Sequence, residues 1–275
     1  MVLFPNCKIN LGLNIIRKRE DGYHDLETVF YPVGLKDALE AIRLPVTGSP
    51  SSVSFNSTGL SITGDAKNNL CIKAYHLLQK DFPEICSLQM HLHKAIPMGA
   101  GLGGGSADGA FALLLINQMC ELNLTEEQLA QYALQLGSDC PFFILNKPCF
   151  ATGRGEKMQP ILLDLSAYHF VLVNPGIHVS TALAFSQIIP GKPTQSLADI
   201  IQLPVTEWKK GLVNDFEEPI SQHYPAIATI KQELYRKGAV YASMTGSGST
   251  VYGLFPKEIN PHLSLDPNWR IFEIG

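Results

Sequence analysis

The sequence predicts an α+β protein, and three observations carry that expectation. Segments with a period of two, which put alternate side chains on opposite faces of a strand, are mixed with segments of helical pattern. Turn signals such as Asp21-Gly22 lie between neighbouring strand patterns, as hairpins require. Between a strand pattern and an apolar helical stretch stands the run Pro97-Met98-Gly99-Ala100-Gly101-Leu102-Gly103-Gly104-Gly105-Ser106-Ala107.

The elements follow in order. Ile9, Leu11, Leu13 and Ile15 alternate with Lys8, Asn10, Gly12 and Asn14, the pattern of a half-buried strand. The Asp21-Gly22 turn leads into a second strand near 26–33. Leu88, Met90 and Leu92 alternate with Gln89, His91 and His93, a strand running straight into the glycine run. Residues 106–119 read as a helix with Ser106 as its N-cap. Thr125-Glu126-Glu127-Gln128 has the capping-box pattern of a second helix, closed by Gly137 at the C′ position. Val171-Leu172-Val173 reads as a short buried strand before the turn Asn174-Pro175-Gly176. Residues 227–237 read as a helix ending at Gly238, and strands near 240–244 and 250–255 flank Thr245-Gly246-Ser247-Gly248-Ser249. Gly153, Gly155 and Pro160 loosen the pattern within 150–165, which divides the chain into domains 1–155 and 156–275.

A chain of 275 residues with 45% hydrophobic and 17% charged content has ample material for a buried core. Its net charge of −4 supplies no field that would gather nucleic acid or anionic membrane, so neither is an expected partner. A phosphorylated ligand must then be held by local groups. Cys7, Cys71, Cys86, Cys120, Cys140 and Cys149 form no CxxC pair and no zinc spacing, so buried free thiols in a reducing compartment are expected. Pro5, Asn6 and Lys8 stand where a signal peptide needs an unbroken apolar core, and no apolar run approaches spanning length, so a cytoplasmic location is expected. Oligomeric state is not legible.

The glycine run is the strongest chemical signal. Five glycines between residues 99 and 105 let backbone N–H groups approach a ligand closely, and they permit positive φ. The helix behind them adds unpaired amides and the positive end of its dipole. Together these make a site for a polyanion, most simply the phosphates of a nucleotide. Residues 99–104 also satisfy GxGxxG, but Pro97 interrupts the preceding strand and no strand ending in an acidic residue follows the helix. No Gly-Lys-Ser/Thr completes a Walker loop, and neither His-Arg-Asp nor Asp-Phe-Gly occurs. The plainer reading is a structural glycine turn, which seldom needs so many glycines before a helix.

Other residues admit two readings each. Lys8 and Asn10 share one strand face, either solvated or a cationic, hydrogen-bonding floor beside a polyphosphate. Asp139, between a glycine break and Pro141-Phe142-Phe143, is either an N-cap or a restrained, partly desolvated general base. Tyr23 and His24 follow the hairpin turn as surface aromatics or as a platform for a base or sugar. The second glycine segment, 245–249, is either a flexible turn or a partner packed on the first. Two such segments with a Lys/Asp pair point to phosphoryl transfer.

These residues carry a resemblance. The run 97–107 resembles the second motif of the GHMP kinases (galactose, homoserine, mevalonate and phosphomevalonate kinases), and 244–249 resembles their third. Further segments are similar to the members that act on the alcohol 4-diphosphocytidyl-2-C-methyl-D-erythritol. They are Lys8-Ile9-Asn10-Leu11, Asp21-Gly22-Tyr23-His24, Gly137-Ser138-Asp139-Cys140-Pro141-Phe142, Gly153-Arg154-Gly155-Glu156, Asn174-Pro175-Gly176 with Ser180-Thr181, and Asn214-Asp215-Phe216-Glu217. Asn6-Cys7 departs from the family's usual Pro-Ala before Lys8.

The resemblance implies an N-terminal domain like the second domain of ribosomal protein S5 and a ferredoxin-like C-terminal domain. It implies ATP-dependent phosphorylation of the alcohol's 2-hydroxyl, in the non-mevalonate isoprenoid precursor pathway. Asp139 would take the hydroxyl proton and Lys8 would orient it or stabilise charge. Asn10, Tyr23, His24 and Thr181 would hold the substrate, and 97–107 would cradle ATP. Mg²⁺ is implied by ATP, with no ligand set assigned. The alternatives are another GHMP small-molecule kinase, for mevalonate or homoserine, and a catalytically inactive nucleotide sensor.

Overall fold

The computed structural model describes residues 1–45, 51–62 and 66–275. Its strands are β1 Val2–Leu3, β2 Asn6–Lys18, β3 His24–Lys36, β4 Ala38–Arg43, β5 Val53–Gly59 and β6 Leu88–Lys94, then β7 Cys149–Thr152, β8 Lys157–Pro160, β9 Tyr168–Asn174, β10 Tyr241–Met244, β11 Val251–Pro256 and β12 Arg270–Ile274. The helices are α1 Leu70–Asp81, α2 Gly104–Met119, α3 Glu126–Leu136, α4 Cys140–Leu145 and α5 Thr181–Ser186, then α6 Leu197–Ile200, α7 Val205–Trp208, α8 Glu217–His223 and α9 Ala226–Arg236. The α+β expectation holds.

The chain forms two compact units, and both are discontinuous. One comprises residues 1–7, 35–98 and 103–147, and the other 8–34, 99–102 and 148–275. The units interleave because β2 and β3 share a sheet with β7 and β8, in the order β2-β3-β7-β8, so early strands are claimed by late ones.

The first unit holds the sheet β1-β4-β6-β5, with β5 parallel to β6 and the other pairs antiparallel. In β6, Leu88, Met90 and Leu92 are buried while Gln89 and His93 are exposed, as the alternation predicts. Helices α1 to α4 complete this unit. Gly109 lets α1 and α2 approach closely, since a Cβ there would stand 2.8 Å from Leu70 Cβ. The second unit contains the sheet β2-β3-β7-β8 and an antiparallel sheet ordered β10-β11-β9-β12. Ile227, Ile230 and Leu234, spaced along one face of α9, pack with Val171, Val173, Met244 and Phe255 in its core.

Four local expectations are corrected. The first strand is buried on both faces from Asn6 to Ile15, because Thr28, Thr245 and Tyr252 cover its polar side. Helix α2 begins at Gly104 with Gly103 as its N-cap, so Ser106 lies inside the first turn. Gly137 is itself the C-cap of α3, at φ 170°, an extended conformation rather than a left-handed C′. Cys86 and Cys120 form a disulfide joining the segment ahead of β6 to the C-cap of α2, while Cys7, Cys71, Cys140 and Cys149 are buried thiols. The return of α2 brings those two cysteines together across a separation of 34 residues, which no short-range spacing reveals.

The capping box at Thr125 forms as predicted, with Gln128 N–H donating to Thr125 Oγ1 and Thr125 N–H to Gln128 Oε1. Thr125→Ala is expected to lower stability by about 1 kcal/mol, with no change in turnover. Chemical denaturation beside a steady-state assay checks this; a cost well under about 0.5 kcal/mol would mean the box contributes little.

Candidate active site

Within the second unit, Lys8 and Asn10 sit in a closed polar network. Lys8 is only 4% exposed and Asn10 1%, which rules out a solvated strand face. Lys8 Nζ donates to Asn10 Oδ1 at 2.7 Å and lies 4.6 Å from the centre of the Phe30 ring. Asn10 Nδ2 donates to Thr28 Oγ1, whose hydroxyl donates to Gly12 O. Asn10 N–H donates to Thr245 Oγ1, which ties the first strand to the second glycine segment.

The two glycine segments touch directly. A Cβ on Gly101 would stand 2.0 Å from Thr245 O, and one on Gly246 would stand 3.1 Å from Gly101 Cα. Successive carbonyls of the first segment are held by the protein: Ala100 O by Thr250 N–H, Gly101 O by Thr245 Oγ1, and Leu102 O by Lys8 N–H. Gly99, Gly101 and Gly103 take φ of +61°, +78° and +69°, which side-chain-bearing residues rarely adopt. The Ala100 and Leu102 side chains between them are buried. Gly103 has no side chain to cap α2, so the N–H groups of Gly104, Gly105 and Ser106 have no partner within the helix.

Gly105 supplies the test of fit for a phosphate. Its φ is ordinary, and a Cβ there would meet only Met98 Cε, at 3.8 Å. Glycine inside a helix costs about 1 kcal/mol relative to alanine, and packing here does not require it. The space a Cβ would fill suits a ligand approaching the backbone. Pro97 and Ala107, at the ends of the run, are buried.

Asp139 lies in the first unit, at the N-cap position of α4, yet its side chain does not cap. The residue is in a helical conformation (φ −84°, ψ −17°) and makes no side-chain capping bond. Pro141 has no N–H to donate to the carboxylate, and Phe142 N–H already donates to Asp139 O. Capping is therefore not the role of this carboxylate. The neighbouring Cys140 thiol, pushed up to about 12 by burial, interacts with the Ser106 side chain and so links α4 to the start of α2. A thiol so hard to ionise is no nucleophile.

The residues expected to hold the substrate belong to the second unit. Tyr23 is 56% exposed, with the Arg154 guanidinium 4.9 Å from its ring centre. His24 stacks on Phe185 at 4.6 Å, and burial together with the Lys18 charge holds its imidazole below the usual range. Phe185 and Thr181 share α5, so that helix carries both a predicted contact and an aromatic partner of His24. Recesses of ≈ 750 and ≈ 830 Å³ open in this unit, and none of the predicted site residues lines either.

The family model for the GHMP kinases N terminal domain matches residues 69–147, and that for the GHMP kinases C terminal matches 197–261. The chain is 53% identical over 258 residues to the 4-diphosphocytidyl-2-C-methyl-D-erythritol kinase of Bacteroides thetaiotaomicron, covering 94% of this chain and 93% of the relative. The chain is a member of the 4-diphosphocytidyl-2-C-methyl-D-erythritol kinase family of GHMP kinases. A crystal structure of a 4-(cytidine 5'-diphospho)-2C-methyl-D-erythritol kinase superposes with a TM-score of 0.78 at 30% identity, covering 92% of this chain and 90% of that one. The mevalonate kinase of Methanococcus jannaschii has a TM-score of 0.72 at 14% identity, with 99% and 97% coverage, and shares the fold.

In this GHMP kinase the 214–217 segment, read in the sequence only as part of the resemblance, takes a structural role, whereas Lys94 was not singled out by sequence at all. Asn214 Nδ2 donates to Met244 O and Gly246 O, and Glu217 accepts from Met244 N–H and Ser243 Oγ, so the 214–217 motif clamps the second glycine segment. In the first unit, Lys94 continues the buried register of Leu88, Met90 and Leu92 and is 1% exposed. Its ammonium pairs with Asp37 and, at 2.7 Å, with Asp108 Oδ2. The signal was a charged residue at an inward position of an alternating strand. Among the described residues, no group of three or more His, Cys, Asp or Glu side chains is placed to hold a metal ion.

Burial lifts the Asp108 carboxyl to about 7, against the pull of Lys94 and with a further push from Asp37. Unfolded, it titrates near the ordinary value of about 3.9. Between those values the native chain keeps a proton that the unfolded chain has released, so this group's contribution to stability falls as pH rises from about 4 to about 7. Asp108→Asn removes that titration. The melting temperature of the variant minus that of the wild type is expected to increase across this interval; a constant difference would contradict the shift.

Proposed function

We propose that this chain transfers the γ-phosphoryl group of ATP to the 2-hydroxyl of 4-diphosphocytidyl-2-C-methyl-D-erythritol, in the non-mevalonate route to isoprenoid precursors. The observation that carries this reading is the high identity, over nearly the whole chain, with a relative of that name. Mevalonate kinase shares only the fold, at 14% identity, which weighs against the mevalonate alternative. ATP is a cytoplasmic metabolite, which favours a cytoplasmic location. No helix among the described residues is long and apolar enough to cross a membrane.

The Asp139 carboxylate accepts the proton of the substrate hydroxyl as its oxygen bonds to the γ-phosphorus. The bond from that phosphorus to the β–γ bridging oxygen breaks, and ADP leaves. Phosphoryl transfer demands chiefly positioning and charge stabilisation. The buried ammonium of Lys8, oriented by Asn10, supplies a fixed positive charge in surroundings where water screens little. The loop 97–107 cradles the phosphates of ATP through its backbone and the start of α2. Mg²⁺ would come with the nucleotide and would neutralise charge on its phosphates. Asn10, Tyr23, His24 and Thr181 hold the substrate, with the Tyr23 ring against cytosine.

ATP consumption is therefore expected to require the cytidine-bearing alcohol and to stay at background with mevalonate, homoserine or galactose. Tyr23→Ala should weaken binding of that alcohol by ~1–3 kcal/mol. An unchanged KM would remove the stacking role, and robust turnover of mevalonate alone would overturn the substrate.

Asp139→Asn keeps the side chain's shape while removing the proton acceptor. We expect a near-wild-type melting temperature and ATP affinity, with kcat lowered ~10²–10⁴-fold. Lys8→Met is expected to follow the same pattern with weaker binding of the anionic ligands. Normal single-turnover phosphoryl transfer by a stable Asp139→Asn variant would exclude the general base.

A further inference from the structure

We infer that Asp108, acting through Lys94, is a positioning residue for the phosphate-binding loop, because one buried ammonium fixes both the strand that leads into the loop and the helix that leaves it. This rests on the reading of 97–107 as the ATP cradle. Lys94 is the last residue of β6. Asp37, which pairs with it, also accepts from Ala95 N–H at 2.6 Å and Ile96 N–H at 2.8 Å through Oδ1. The backbone just before Pro97 is thereby held to the ammonium through a single carboxylate. On the far side of the loop, Asp108 stands in the second turn of α2 and binds Lys94 Nζ through Oδ2.

The start of α2 rests on the same charge. A Cβ on Gly104 would stand 3.1 Å from Lys94 Nζ and 2.8 Å from Ile96 Cγ2, so only glycine lets the helix sit down on the ammonium. Asp108 Oδ1 is buried with no hydrogen-bond partner, while Oδ2 binds Lys94 Nζ and the carboxyl also interacts with the Asp37 side chain that shares the same ammonium. A buried cation shared in this way sets the separation of the loop's two ends. The loop's N–H groups serve a ligand only within about 0.5 Å of the productive geometry, so moving one end misplaces them.

The Cys71 thiol, whose Sγ donates to Asp108 O, faces the same cluster. Burial raises it well above the ordinary range, so it stays neutral. The groups that set this geometry are Asp37, Lys94 and Asp108.

The test uses the full-length chain and compares Asp108→Ala with Asp108→Asn. Alanine cuts the tie to α2 yet leaves Lys94 paired with Asp37, so no lone charge is buried. Asparagine keeps an acceptor for Lys94 Nζ. Initial rates are measured well below each melting temperature, with ATP and the cytidine-bearing alcohol varied in turn. We expect Asp108→Ala to raise KM for ATP roughly 10- to 100-fold, Asp108→Asn to raise it less, and KM for the alcohol to stay put in both. Asp108→Leu, which fills the space without a tie, stands in if the alanine variant does not fold.

Wild-type KM for ATP in the folded variants, or a parallel rise for both substrates, would overturn the inference. Gly103→Val separates this from failure of the cradle itself, because it obstructs backbone approach to the phosphates. Normal ATP affinity in Gly103→Val would refute the cradle. Lost ATP affinity there, with normal ATP kinetics in Asp108→Ala, would refute only the role of Asp108.

Discussion

At Gly101 two backbones press together, and much of the second unit is arranged around that contact. A side chain there would collide with Thr245 O at 2.0 Å, and the residue's φ of +78° excludes most side chains independently. From this point the hydrogen bonds radiate. Thr245 Oγ1 holds Gly101 O and receives the N–H of Asn10, and Asn10 Oδ1 in turn receives Lys8 Nζ. Asn214 and Glu217 hold the opposite side of the second glycine segment through Met244 and Gly246. A buried lysine is expensive unless its ammonium is hydrogen-bonded, and this network keeps Lys8 ordered.

The first unit meets a similar demand with charge instead of backbone contact. Asp37, Lys94 and Asp108 form a buried cluster beneath the start of α2, where Gly104 leaves room for the ammonium. Asp139 stands at the start of α4, and the Cys140 thiol beside it meets Ser106 in the first turn of α2. A helix start whose first N–H groups have no partner within the helix and a carboxylate that makes no capping bond therefore belong to one packed body. Phosphoryl transfer needs this more than it needs reactive side chains, since its barrier falls mainly through positioning and fixed charge.

Much of this was legible in the sequence, for physical reasons that also explain the gaps. Local signals survived: the capping box at Thr125, the alternation of β6, the turns at Gly22, Gly176 and Gly238, and the glycine run ahead of α2. Their causes lie within a few residues of chain. Non-local facts did not survive. The strand from Asn6 to Ile15 reads as half-buried because nothing near it announces the Thr28, Thr245 and Tyr252 that cover its polar face. Ser106 has a good capping side chain, but Gly103 begins the helix because the chain must first turn at positive φ. The disulfide and the interleaved units depend on pairings across long separations. Lys94 was missed: the signal was a charge in a buried register, but its partners come from a loop and a helix that only the fold brings together.

The most direct test of the central claim, that close contact between the glycine segments shapes the proposed ATP cradle, is calorimetric titration of ATP into Gly101→Ala. The added methyl cannot fit against Thr245 O without moving one segment. A folded variant should bind ATP at least about tenfold more weakly, a difference of about 1.4 kcal/mol. A folded Gly101→Ala with wild-type ATP affinity would contradict the account.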